Sequence, residues 1–200
     1  QMARQLNMTS KHSIEKKAAQ NVDCFTTVSD ITAQECAQFL ERQPDVVTPN
    51  GFEKGFIPKG NAHRLARKNA RKILLGVAEK LLGYAPDTDA LLVGTSGRYE
   101  YKNKGIDAFI EAMNMLRKTP QLSKDIIAFI MVPAWIKGAR EDLRRRIKGE
   151  MPSRRASHPG DRFITHELHQ PDKDMVMQQI RSSGFTNEEN NRVKIIFIPS

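Results

Sequence analysis

Three short apolar runs, Ala90–Val93, Ile126–Val132 and Val193–Ile198, are separated by stretches in which apolar residues recur at helical spacing. That alternation leaves few folds open. Apart from Lys194 these runs have no polar face to give to water, so the strands must be covered on both sides. Helix-length connections let consecutive strands lie parallel. The chain therefore reads as α/β, a parallel sheet with flanking helices. The connecting helices are expected at Ile106–Arg117, at about Ala139–Lys148 and at Lys173–Arg181. A longer helix over Ala62–Leu82 precedes the first of these strands, and Gly83, Pro86 and Asp87 end it.

Upstream the units are shorter. Thr9–Gln20 reads as a helix with Ser10 as its N-cap, and Asp23–Val28 as a buried strand. Ser29 or Asp30 caps another helix, whose Ile31, Cys36, Phe39 and Leu40 fall near one face. Asp45–Thr48 is a short strand. Phe52–Gly60, with its glycines and Pro58, is the expected linker, which divides the chain into domains 1–58 and 59–200. Between about 149 and 172 the periodicity lapses around Pro152, Pro159, Gly160 and Pro171, so an irregular insertion is expected there.

The 200 residues carry a formal net charge of +9, which raises nucleic acid as a partner. The cations gather as Arg64, Arg67, Lys68, Arg71 and Lys72, and as Arg140, Arg144, Arg145, Arg146 and Lys148, with Arg154 and Arg155 soon after. No aromatic residues interleave with them to stack on bases. Both clusters read as solvated helix faces, and no specific nucleic acid is expected. No run approaches the roughly 18 apolar residues of a membrane helix, so no membrane partner is expected. Gln1–Asn7 lacks the apolar core of a signal peptide, which makes the cytoplasm the expected location. Cys24 and Cys36 are too few for a disulfide framework and read as small apolar side chains.

The segment from Gly97 to Gly105, Gly-Arg-Tyr-Glu-Tyr-Lys-Asn-Lys-Gly, joins a strand to a helix. In an open α/β sheet this is where phosphate-bearing ligands sit, against the free N–H groups of the helix that follows. Arg98 and Lys104 add full charges there. Arginine offers a fixed fork to phosphate oxygens and lysine a mobile point charge. The alternative is a solvated turn with incidental cations. His166 and His169 are three apart, narrower than the zincin spacing and with no Cys nearby, so no metal is expected. Trp135, after Pro133-Ala134, is expected to be half-buried packing.

The wording of the Gly97–Gly105 segment also resembles the eukaryotic-type glycogen synthases, retaining glucosyltransferases with two Rossmann-like domains (the GT-B fold). The resemblance extends to Phe25-Thr26-Thr27-Val28-Ser29, Ile31-Thr32 and Pro49-Asn50-Gly51. It continues through the run from Asn103 to Ala112 and through Arg192-Val193-Lys194-Ile195-Ile196-Phe197, in the family's order. It implies that 1–58 is the end of the N-terminal domain with the hinge. It implies that 59–200 is the first part of the C-terminal nucleotide-sugar-binding domain. The chain would then be an internal fragment of an enzyme that moves glucose from UDP-glucose or ADP-glucose to the 4-hydroxyl of an α-1,4-glucan, with retention of configuration. Arg98 and Lys104 would clamp the donor phosphates. Lys16, where the family carries an Arg after Ile-Glu, is a third candidate contact. Thr165-His166 matches a Thr-His pair of the family. The family's paired glutamates, Glu-x7-Glu, have no counterpart, because no Glu here has another eight positions later. No catalytic residue is therefore assigned, and the fragment alone is expected to be inactive. The resemblance calls for no cofactor and is compatible with a homo-oligomer. Two other readings stay open: a catalytically silent nucleotide- or carbohydrate-binding module, and a polyanion-binding protein.

Overall fold

The first elements are short helices and two-residue strands. They are α1 (Met2–Gln5), α2 (Thr9–Asn21), β1 (Thr26–Thr27), α3 (Asp30–Leu40) and β2 (Val46–Val47). The structure is a computed structural model that describes residues 2–152 and 162–199. β1 and β2 pair in parallel. Ser29 caps α3 by accepting from Thr32 N at 3.1 Å, whereas α2 starts after Met8 with no side-chain cap, so Ser10 is not its N-cap. The Asp23–Val28 strand shrinks to two residues, and Val28 is exposed, as is Cys24. The apolar positions expected to face a core do not find one. Ile31 and Phe39 are exposed and Cys36 and Leu40 only partly buried, and the buried apolar residues are small ones such as Ala19 and Ala33. Polar contacts hold this part instead. Arg42 donates to the carbonyls of Ala19 at 2.5 Å and Val22 at 2.9 Å and to Asp45 at 2.8 Å. Asp45 in turn accepts from Phe25 N at 2.7 Å.

A 3-10 turn at Lys54–Phe56 follows, and the chain divides into two compact units, Gln1–Pro58 and Lys59–Ser200. The second unit opens with α4 (Gly60–Leu82), then β3 (Leu91–Ser96), α5 (Ile106–Arg117), β4 (Ile126–Met131), β5 (Ile136–Ala139), α6 (Glu141–Ile147), β6 (His166–Leu168), α7 (Met175–Ser182) and β7 (Val193–Phe197). Gly83 ends α4 at φ 80°, a left-handed value that favours glycine. β3, β4 and β7 form a parallel sheet in that order.

The period-two alternation of the strands sorts their side chains onto two faces. Ile126, Ala128, Ile130, Val193, Ile195 and Phe197 meet Ile106, Ile110 and Met113 of α5 and Val176, Met177 and Ile180 of α7. Ile127, Phe129 and Ile196 meet Ala78, Leu81 and Leu82 of α4 and Leu143 of α6. The result is a three-layer sandwich of helices on both faces of a parallel sheet, as the sequence pattern requires. Burying each of the large side chains contributes ~1.5–3 kcal/mol.

The stretch expected to be irregular is partly built into this sheet. Phe163 O accepts from Phe197 N, and Thr165 N donates at 3.1 Å to Phe197 O. β6 then pairs antiparallel with β5. Proline and glycine masked these short pairings in the sequence. A buried asparagine locks the region. Asn187 is fully buried at φ 50°; its amide donates to Arg162 O at 3.0 Å and Ile195 O at 2.7 Å, and its carbonyl oxygen accepts from Ile195 N at 2.9 Å. Every hydrogen-bonding direction of that side chain but one is used, which offsets the cost of burying it.

Candidate functional site

The cation-bearing turn leaves the carboxyl end of β3, at the edge of the sheet where α/β proteins bind ligands. Gly97 at φ 146° and Gly105 at φ 63° begin and end it. Inside, Glu100 N donates to Arg98 O at 2.7 Å, Lys104 N to Glu100 O at 2.8 Å and Gly105 N to Lys102 O at 3.0 Å. The backbone thus folds tightly between the two cations.

The two tyrosines of the turn point into the protein and anchor it. Tyr99 Oη donates to Asp174 Oδ2 at 2.8 Å and accepts from Val176 N at 3.1 Å. Its ring meets Phe197 edge-on at 6.2 Å. Asp174 is also the N-cap of α7, accepting from Met177 N at 2.9 Å. Tyr101 Oη donates to Gln179 Oε1, on the same helix. Burial first, and then the Asp174 carboxylate, push the Tyr99 phenol's pKa well up, so it stays a donor at any ordinary pH. Burial and the carboxylates of Asp107 and Asp174 raise that of Tyr101. The turn is therefore fastened to α7 through partners more than seventy residues away.

Arg98 and Lys104 face solvent. Arg98 pairs with Glu100 at 3.0 Å, with three-quarters of its own side chain exposed (76%). An exposed pair of that kind is weak and easily exchanged for a phosphate. Lys104 has no side-chain partner among the described residues. The helix N-terminus behaves differently from expectation. Ile106 N donates at 3.0 Å and Asp107 N at 3.4 Å to Tyr101 O, so the turn itself takes two of the amides expected to be free for a ligand. What the site offers an anion is side-chain charge rather than an open row of helix amides.

Lys16 lies in the first unit and pairs with Glu41 at 2.5 Å. The hydrogen bond and charge of Lys16 hold the Glu41 carboxyl below its ordinary pKa. His166 and His169 occupy different surroundings. His166 Nδ1 lies 2.8 Å from Thr165 Oγ1, and burial lowers its pKa. His169 stacks on Trp135 at 4.7 Å. No cluster of three His, Cys, Asp or Glu suited to a metal occurs among the described residues. Trp135 is 66% exposed rather than half-buried, because it sits past the end of β4, beyond the core.

The basic clusters are not uniformly solvated faces. Arg140 and Arg146 are buried and converge on Asp142, Arg140 through Nε at 3.1 Å and a terminal nitrogen at 2.8 Å, Arg146 at 3.1 Å. Arg71 donates to the carbonyls of Thr88 and Ala90 at 2.6 Å each. These arginines work as structural cross-braces, which charge counting alone does not distinguish from a binding face. Arg154 and Arg155 lie outside the described residues. No helix among the described residues is long and apolar enough to cross a membrane.

With this geometry in view, the likeness of the chain to known proteins can be placed. The family model described as glycogen synthase matches residues 1–147, which takes in the first unit and the second as far as α6, with the cation-bearing turn and the strand that precedes it. A "Glycogen [starch] synthase" of Neurospora crassa is 30% identical over 94% of this chain and 34% of its own length. One of Dictyostelium discoideum is 30% identical over 94% of this chain and 27% of its own. "Glycogen [starch] synthase isoform 2" of Saccharomyces cerevisiae is 38% identical over 62% of this chain and 18% of its own. The chain thus spans about a third or less of the length of the curated relatives it matches. The match carries the strand, the cation-bearing turn and the helix as one block, and on it the chain belongs to the glycogen synthase family.

Proposed function

We propose that this chain is the part of a retaining glucosyltransferase that grips the diphosphate of a nucleoside diphosphate glucose, with Arg98 and Lys104 as the clamp. The observation that carries the reading is the anchored turn. Two cations stand at the ends of a backbone loop that two tyrosines fasten to α7, so the backbone that carries them is set before a ligand arrives. The sheet supports it as well. Its strands step in one direction, β3 to β4 to β7. In doubly wound sheets that order makes the first strand the border of the switch point where ligands bind. Residues 59–200 then form the first part of the C-terminal, nucleotide-sugar-binding domain of a GT-B enzyme, and 1–58 the last part of its N-terminal domain.

The chemistry follows from charge. Breaking the glucosyl–phosphate bond leaves negative charge on the departing diphosphate, and cations fixed there stabilise the transition state more than the bound donor. The donor is UDP-glucose or ADP-glucose and the acceptor the 4-hydroxyl of an α-1,4-glucan, in the cytoplasm. Lys16 would have to give up Glu41 to reach a phosphate, so the reading rests on Arg98 and Lys104. The carboxylates that handle the sugar's positive charge lie outside this chain.

The test is transfer of labelled glucose to glycogen, with UDP-glucose and ADP-glucose assayed separately, by the longer protein that contains this chain. Arg98→Ala and Lys104→Ala should each lower turnover by roughly 10²–10³, the usual loss for one preorganised donor. The 200-residue chain alone should show no transfer. Unchanged turnover in both variants, or full turnover by the chain alone, overturns the assignment.

A further inference from the structure

We propose that the cavity beside Trp135 is a separate carbohydrate subsite, where a stretch of α-1,4-glucan lies on an aromatic floor that neither Arg98 nor Lys104 lines. The inference rests on the reading above in one respect, that the chain works on a glucan.

Trp135 is the only tryptophan in the chain. It is 66% exposed, yet it is held in place. His169 stacks on it at 4.7 Å and 28°, and its carbonyl accepts from His169 N at 3.0 Å. A large ring kept rigid and open to water is a binding surface in the making, because little conformational freedom is lost when a ligand covers it. The ring lines a cavity of about 330 Å³ together with Tyr99, Tyr101, Leu168 and Met175. Both tyrosine hydroxyls are tied to α7 and its cap, so these residues present ring surface rather than polar groups.

The rim supplies the polar part. Gln170 and Lys173 line the same cavity, and their side chains have no partner among the described residues. The charged lining residues are one lysine and one carboxylate, Asp174, whose oxygens already accept from Tyr99 and Met177. A cavity with balanced charge and aromatic walls suits a neutral ligand better than a phosphate. A pyranose matches it: its C–H face packs on an indole, and its ring of hydroxyls meets an amide and an ammonium. The cavity sits past the carboxyl ends of β3 and β4, on the same edge of the sheet as the phosphate turn. There it holds the polymer close to the donor without taking part in the transfer.

Because Trp135 is the sole tryptophan, its emission reports on the site directly. Titrating the chain with maltoheptaose should change the emission in a saturable way, and titrating with UDP should not. Trp135→Ala should keep the wild-type circular dichroism and UDP affinity. It should weaken retardation in native gels containing glycogen by about tenfold, while Trp135→Phe keeps most of the retardation. No emission change with maltoheptaose overturns the proposal, as does a response to UDP in its place, or unaltered retardation of Trp135→Ala. The UDP arm keeps the two ideas apart: loss of the clamp appears in nucleotide affinity, loss of the subsite in glucan affinity alone.

Discussion

Removing one oxygen atom should loosen the phosphate turn. In Tyr99→Phe the ring remains, with its edge contact to Phe197 at 6.2 Å, but two hydrogen bonds go. One is the donation to Asp174 at 2.8 Å, the other the acceptance from Val176 N at 3.1 Å. A hydrogen bond to a charged group contributes ~1.5–3 kcal/mol and a neutral one ~1 kcal/mol. The site is only partly buried, so water recovers some of this, and a net loss of about 2 kcal/mol is expected. For a domain of this size that lowers the melting temperature by about 4–8 °C. Urea denaturation measures the free energy, with an unchanged m-value showing that the folded state is otherwise intact. The same variant should bind nucleoside diphosphate more weakly, since the clamp is no longer held in position before binding. A stability loss under about 0.5 kcal/mol would refute the reasoning that this hydroxyl pins the turn.

Other outcomes follow from groups outside the turn. Asn187→Ala leaves Ile195 N–H and two buried carbonyls unpaired and puts alanine at φ 50°, so it should cost at least about 3 kcal/mol by urea denaturation; a value within 1 kcal/mol of wild type contradicts the bracing role. Burial pushes the Asp125 pKa up, but the hydrogen bonds and charges of Lys194 and Arg192 outweigh it and leave the carboxyl below its ordinary value. Its contribution is therefore present above the unfolded pKa of about 3.9 and is lost as pH falls through the lower folded value. Stability measured from about pH 6 downward should fall less steeply in Asp125→Asn than in wild type, and parallel curves would show that Asp125 is not a source of the acid limb.

The layered sheet was legible because its signal is local and repeated. Ile126–Ile130 is buried on both faces, as a central strand covered by helices on either side must be. The site was legible only as a composition, two cations between a strand and a helix. Its rigidity was not. The partners of Tyr99 and Tyr101 lie on α7, more than seventy residues further on, and nothing in a window around Gly97 announces them. The same holds for Lys194, which reads as a polar interruption of a strand yet is 2% exposed and paired with Asp125 at 2.8 Å. In the first unit the spacing puts Ile31, Cys36, Phe39 and Leu40 near one face of α3, yet Ile31 and Phe39 stay exposed. Periodicity shows which residues share a side of a helix and not whether anything covers it.

The central claim is that Arg98 and Lys104 hold a diphosphate from a preformed turn, and calorimetric titration of the chain with UDP and with ADP tests it most directly. Arg98→Ala and Lys104→Ala should each weaken binding by about tenfold or more, as loss of a charge-assisted hydrogen bond does, and the remaining affinity should fall as salt is added. Wild-type affinity in both variants and in the double variant would contradict it.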